Sequence, residues 1–195
     1  MKRFLLTLLL AVNSICQAGT HWKPQTLVYS DKVPAQYRAA FVEEVRTVSA
    51  RLAVKPDWLM IVMRFETGGT FRSNTKNRYS GAVGLIQFIP RTAQSLGTTT
   101  AELSQLNPVE QLAYVERYFM PYRGRMKDVY DVYIVVFAPA FLGRPDDQVL
   151  YRANGRTELD RRRYRLNKVL DTNRDGLITI RDVKAQIGRF VPANS

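Results

Sequence analysis

The chain has 195 residues, a formal net charge of +12, one cysteine and one histidine. That length buries one respectable core with a small appendage rather than two full domains. With Cys16 the only thiol and His21 the only imidazole, the composition argues against serine–histidine and cysteine–histidine hydrolysis, histidine-ligated zinc and haem attachment, so an enzyme here works with carboxylates, hydroxyls or amines.

In chain order, residues 1–18 (MKRFLLTLLLAVNSICQA) combine Lys2 and Arg3, an apolar run over 4–12 and small Ala18. This is the pattern of a secretory signal peptide, with a run about half of the roughly 20 residues a spanning helix needs. Lipid attachment at Cys16 is the lesser alternative, because Ile15 stands where a small residue is required. Cleavage after Ala18 leaves 177 residues with a charge of +10, no cysteine and hence no disulfide. Export to the periplasm or the outside is the expectation. The positive charge then favours an anionic wall polymer or membrane surface over nucleic acid, for which no binding motif is found, unless it serves only solubility.

After an N-terminal segment, 19–34, a helix is expected over 35–53, where Tyr37, Phe41, Val45, Val48 and Leu52 share a face. A second helix opens at Pro56-Asp57, is apolar all round through Met63 and stops before Gly68-Gly69, so it is expected to be central and buried. Residues 70–84 read as an ordered loop or short irregular ribbon, and Pro90 opens a short helix that ends before Gly97. Thr99 with Glu102, and Asn107 with Glu110, are capping-box starts of two more helices, the second reaching about Tyr122. Residues 128–142 read as a helix with a kink at Pro139. After Tyr151 arginines crowd the chain. The expectation is a mainly α-helical domain over 35–152 with at most a small β-ribbon near 70–84, followed by a short basic tail over 153–195.

Glu66 is the only carboxylate within residues 58–101. Val62, Met63 and Phe65 precede it, and apolar surroundings penalise the ionised form. An ordinary pKa of about 4.3 leaves about 0.2% of a carboxyl protonated at pH 7, whereas a pKa raised to about 6 leaves roughly 10%. The plainer reading is an exposed helix-terminal glutamate paired with Arg64 or Arg72.

The residues that follow carry a resemblance. Glu66-Thr67, Gly69-Thr70-Phe71, Asn77, the run from Ser80 through Gly84-Leu85-Ile86-Gln87-Phe88 to Pro90-Arg91-Thr92-Ala93, and Leu96-Gly97 resemble, in order and spacing, the core of soluble lytic transglycosylases and related goose-type lysozymes. The likeness extends more weakly over 35–151. Asp131-Val132-Tyr133, Val136-Phe137 and Gly143-Arg144-Pro145-Asp146-Asp147 resemble phage and prophage virion-type members. The resemblance implies a lysozyme-like fold, peptidoglycan as partner and Glu66 as catalytic acid/base. It also implies a glycan groove lined by Thr67, Gly84, Leu85, Ile86, Gln87, Phe88, Tyr133 and Phe137, with Gln87 as a polar contact. A monomer is expected, and service in a phage, in a secretion machine or in ordinary wall turnover stays open.

Two-carboxylate glycosidases need a second acid, and none lies near Glu66 in sequence. That suits the family's lyase chemistry, in which the sugar acetamido group stabilises C1 and the same glutamate closes a 1,6-anhydro ring. The family's alanine-tyrosine-asparagine segment is absent, replaced by Val136-Phe137-Ala138-Pro139. Tyr133 then either supplies the supporting hydroxyl or is a core tyrosine. Asp146 or Asp147 returning to the cleft would make the enzyme a hydrolase instead, and a non-catalytic wall-binding or assembly role is a further alternative.

In the tail, residues 171–182 (DTNRDGLITIRD) fit a twelve-residue calcium loop of EF-hand type. Asp171, Asn173 and Asp175 stand at positions one, three and five, Gly176 at six, the Leu177 carbonyl at seven and Asp182 at twelve. Asp182 replaces the usual bidentate glutamate and resembles dockerin loops. A structural calcium ion tying down the basic tail is expected, with no cofactor for catalysis. The alternative is a polar turn before a short helix.

Overall fold

Capping residues and apolar spacing lay out the helices in the computed structural model, which describes residues 26–193. The expected signal peptide, Cys16 and His21 lie outside the described residues. Helix α1 (Arg38–Leu52) buries Phe41, Val45, Val48 and Leu52, the expected face. It ends at Ala53 in the left-handed conformation, where the Val54 N–H reaches back to the Ser49 carbonyl at 3.0 Å. Helix α2 (Pro56–Glu66) starts on a proline whose missing N–H has no partner to lose, and it buries Leu59, Met60, Ile61, Val62 and Met63 between α1 and later helices. At its end the Gly69 N–H donates to the Arg64 carbonyl at 2.8 Å. Gly69 has φ 85°, and a Cβ there would lie 2.6 Å from the Arg64 guanidinium carbon, so the turn needs glycine.

Helices α3 (Pro90–Ser95), α4 (Thr100–Gln105) and α5 (Pro108–Phe119) follow. Both expected capping boxes form: Thr99 with Glu102, and Asn107 with Glu110. Helix α5 packs on α1 through Leu112, Val115 and Phe119, and the chain continues to Tyr122 as a 3-10 turn. Helix α6 (Val129–Phe137) opens on Asp128, whose carboxylate accepts from the Asp131 N–H. It stops rather than kinks before Pro139. Ala138, held out of the helical region by the proline that follows, takes φ −152° and ψ 69°, and a separate 3-10 turn spans Pro139–Phe141.

The one sheet among the described residues stands away from the expected place. Strand β1 (Val149–Arg152) pairs antiparallel with β2 (Leu177–Thr179), with a bulge between Val149 and Tyr151. Residues 70–84 form only the isolated bridges Lys76 to Val83 and Val83 to Phe88. There the Asn77 carboxamide oxygen takes the Tyr79 and Ser80 N–H groups, so the backbone turns instead of pairing.

Between the strands lies α7 (Glu158–Asn167), and after them α8 (Ile180–Gly188). Helix α8 packs on α6 and α2 and buries Ile180, Val183 and Ile187. The C-terminal segment is thus stitched to the body: Phe190 meets Phe65 edge to face at 5.2 Å, and the Tyr29 hydroxyl donates to the Phe190 carbonyl at 2.7 Å. The Arg64 guanidinium lies 5.7 Å from the Tyr29 ring and 5.5 Å from that of Phe190. The fold is mainly α-helical with this small sheet. No described helix is long and apolar enough to cross a membrane.

Candidate active site

Helix α2 delivers Glu66 into an open groove of about 760 Å³. Phe65, Ile86, Val136 and Phe137 give it apolar walls, Tyr133 faces it, and Asn77, Tyr79, Ser80 and Gln87 come from the loop side. The far wall is α7, through Arg162, Leu166 and Asn167. Among the described residues Glu66 is the only carboxylate lining the groove.

No hydrogen bond or ion pair holds the Glu66 carboxyl among the described residues. Arg64 is taken by the two aromatic rings, and Arg72 lines a different depression beside Tyr37 and Asn107, so neither expected ion pair forms. Part of the side chain stays open to the groove, yet its carboxyl is deep enough that burial pushes the pKa up to about 8. At that value about nine-tenths of the carboxyl is protonated at pH 7.

Two tyrosines share this environment. Burial first, and the Glu66 charge second, hold the Tyr133 hydroxyl well above its ordinary pKa. Burial, with smaller contributions from Tyr122 and Glu66, likewise raises Tyr118. Both are therefore neutral donors. The Tyr118 proton is committed to the Val135 carbonyl at 2.7 Å, whereas the Tyr133 hydroxyl has no hydrogen-bond partner among the described residues. Phe65 fixes the Tyr133 ring edge to face at 5.0 Å.

Of the residues the sequence assigns to the groove, the structure brings Glu66, Ile86, Gln87, Tyr133 and Phe137 together. Four others stand behind the wall. The Thr67 hydroxyl is buried, donating to the Met63 carbonyl at 2.7 Å and accepting the Phe71 N–H at 3.0 Å. Leu85 and Phe88 are core residues with no part in the groove wall, whereas Ile86, itself almost wholly buried, and the half-buried Gln87 reach it. Gly84 is buried against Gln111, where a Cβ would run into the carboxamide. Gln87 adopts φ 52° and its amide donates to the Thr75 and Gly84 carbonyls, each at 3.1 Å. Its carboxamide oxygen accepts no hydrogen bond among the described residues.

Gln111 was not legible as part of the site. Fully buried on α5, it accepts the Leu85 N–H at 2.7 Å and donates to the carbonyls of Ser73 at 3.1 Å and Leu103 at 2.8 Å. This strut fixes the turn carrying Ile86 and Gln87. Tyr118, Tyr79 and the α7 residues were also missed; only Tyr79, as a large aromatic in a polar loop, carried any local signal.

Asp146 and Asp147 do not line the groove. Asp146 instead binds Lys184 Nζ at 2.7 Å, and its carbonyl accepts the Arg181 N–H.

In the 171–182 loop, Asp171 accepts from the Tyr164 hydroxyl at 2.5 Å, from Gly176 N–H at 3.0 Å and from Asp175 N–H at 3.2 Å. The Tyr164 hydrogen bond leads the groups that hold the Asp171 pKa below the ordinary carboxylate range. Asn173 and Asp175 hydrogen-bond each other, and Leu177 occupies the start of β2. Asp182 closes the α8 capping box, taking the Thr179 N–H and hydroxyl. The turn at Gly176 and the oxygen-only donor set fit a hard cation. Among the described residues, however, no three acidic, histidine or cysteine side chains stand grouped to hold one.

A scan against protein-family models, a search of curated proteins and a search of solved structures each found no match.

Proposed function

We propose that this protein is an exported peptidoglycan lytic transglycosylase with a lysozyme-like helical body. The observation that carries this reading is a carboxyl on the wall of an open groove, with no second acid among the described residues that line it, whose burial raises its pKa to about 8. A protonated Glu66 gives its proton to the oxygen of the β-1,4 bond between N-acetylmuramic acid and N-acetylglucosamine as the C1–O bond breaks. The neighbouring acetamido group stabilises the cation at C1. Glu66, now a carboxylate, takes the proton of the C6 hydroxyl, whose oxygen bonds to C1 and closes the 1,6-anhydro ring. Each proton given up is recovered, and no water is consumed. Tyr133 supports the charged intermediate stage, since among the described residues its hydroxyl has no partner and the nearby Glu66 carboxylate has no donor.

Mass spectrometry of digested peptidoglycan tests this reading. Anhydro ends are expected; reducing ends would make the protein a hydrolase, and identical, inactive behaviour of wild type and Glu66→Gln would leave a wall-binding protein. The basic and apolar residues 1–18 support export, and the resemblance to virion-type members supports service in a phage or secretion machine.

The loop over 171–182 is assigned a structural calcium ion held by Asp171, Asn173, Asp175, the Leu177 carbonyl and Asp182. The turn around Gly176, with φ 80°, supports it. Millimolar calcium should raise the melting temperature of the wild type and leave that of Asn173→Ala less changed. No heat of binding in calorimetry at that concentration would remove the site.

A further inference from the structure

Six of the seven side chains from Glu158 to Tyr164 are charged or aromatic, and the helix sorts them sharply. Arg161 and Arg165 both reach back to Glu158, and Arg161 also donates to the Gly155 carbonyl at 2.8 Å. Tyr164 turns into the core and binds Asp171. Arg162, with Leu166 one turn on and Asn167 beside it, faces the Glu66 groove. Among the described residues Arg162 has no ion pair or hydrogen bond and is the only cation lining the groove. Across from it, Tyr79 is 90% exposed and Ile89 46%, while Leu166 on its own side is 70% exposed. Three large apolar side chains thus rim one depression, an arrangement suited to the faces of sugar rings.

An unpaired guanidinium beside an apolar rim has a defined complement: a ligand with flat carbohydrate faces that also carries a carboxylate. We propose that Arg162 is a carboxylate-recognition residue of the glycan groove, so that α7 of the C-terminal segment, rather than the body alone, reads the acidic groups of the strand. The proposal rests on the groove being a glycan site and adds a selectivity to it: strands bearing acids over neutral ones. The carboxylate belongs either to the lactyl ether of a peptide-free muramic acid residue or to a stem peptide. In both cases the recognition is the same bidentate hydrogen bonding of guanidinium to carboxylate.

The experiment measures binding, not cleavage, in full-length Glu66→Gln protein, so it stands apart from whether the wild type is an enzyme. Three soluble probes of matched length are titrated: peptide-bearing glycan fragments, amidase-treated fragments with free lactyl carboxylates, and neutral chitooligosaccharide. Adding Arg162→Gln is expected to weaken binding of at least one anionic probe by about tenfold, the loss of one charge-assisted contact, and to leave chitooligosaccharide unchanged. Which anionic probe responds identifies the source of the carboxylate. Adding Arg163→Gln removes the same charge from the same helix away from the groove and should leave all three affinities unaltered. Equal weakening by both substitutions, equal weakening on the neutral probe, no weakening at all, or no anionic binding by the parent would each overturn the proposal. Arg162 is exposed, so an unchanged melting temperature checks that the fold is intact.

Discussion

Glu66 and Asp171 are both carboxylates close to tyrosine rings, and they show how little the residue type alone determines. Glu66 receives no hydrogen bond among the described residues, and burial raises its pKa to about 8. Asp171 accepts a hydroxyl and two backbone N–H groups, which hold its pKa down. The first is kept as an acid with a proton to give. The second is kept as an anion that ties α7 to the turn before β2. Tyrosine plays opposite parts: Tyr164 gives its hydroxyl proton to Asp171, while that of Tyr133, near Glu66, has no acceptor among the described residues.

The strongest way to break this contrast is to neutralise each group in turn. Glu66→Gln should lower peptidoglycan cleavage by roughly a thousandfold, as loss of general acid–base catalysis does, without lowering the melting temperature. Asp171→Ala should do the reverse, lowering the melting temperature because the Tyr164 hydroxyl and two N–H groups lose their acceptor. A heat-labile Glu66→Gln with full activity would dissolve the distinction.

Stability against pH separates the two next. The folded protein holds the Glu66 proton between the ordinary value of 4.5 and about 8, so the unfolded chain binds fewer protons in that window. Stability should therefore fall as pH rises from 4.5 to 8, by up to roughly 4 kcal/mol, and Glu66→Gln should flatten that slope in chemical denaturation. Asp171 acts at the other end. Its lowered pKa gives a contribution present above its unfolded value and lost as pH falls through its folded one.

How far such contrasts can be read from sequence depends on the range of the interaction. Glu66, the α1 face and both capping boxes are local patterns, set within four residues, and they stand where spacing places them. Gln111 acts on partners 26 and 38 residues away, and nothing in the α5 pattern distinguishes it from any other buried position. The β1–β2 pairing joins strands of four and three residues, too short for an alternation to register. The motif around Gly84 cannot say that Ile86 and Gln87 reach the groove while Leu85 and Phe88 stay behind it in the core. Arg162 is lost among its arginine neighbours until the helix sorts them.

Smaller effects concern what holds the Glu66 side together, since no hydrogen bond reaches the carboxyl itself among the described residues. Gln111→Ala should cost about 3 kcal/mol by leaving the Leu85 N–H and two carbonyls unpaired, measurable by urea unfolding, and should also raise KM as the turn bearing Gln87 loosens. Tyr133→Phe should slow turnover by about tenfold, the scale of one hydrogen bond to a charged group, with the melting temperature unchanged. Wild-type turnover in that variant would return Tyr133 to the core.

The place of Glu66 in the fold keeps its carboxyl protonated near neutrality. A carbon-13 NMR titration of glutamate-labelled protein, with the Glu66 signal identified by its loss in Glu66→Gln, reads this directly. A midpoint near 8 is the predicted result. A midpoint near the ordinary 4.5 would contradict it.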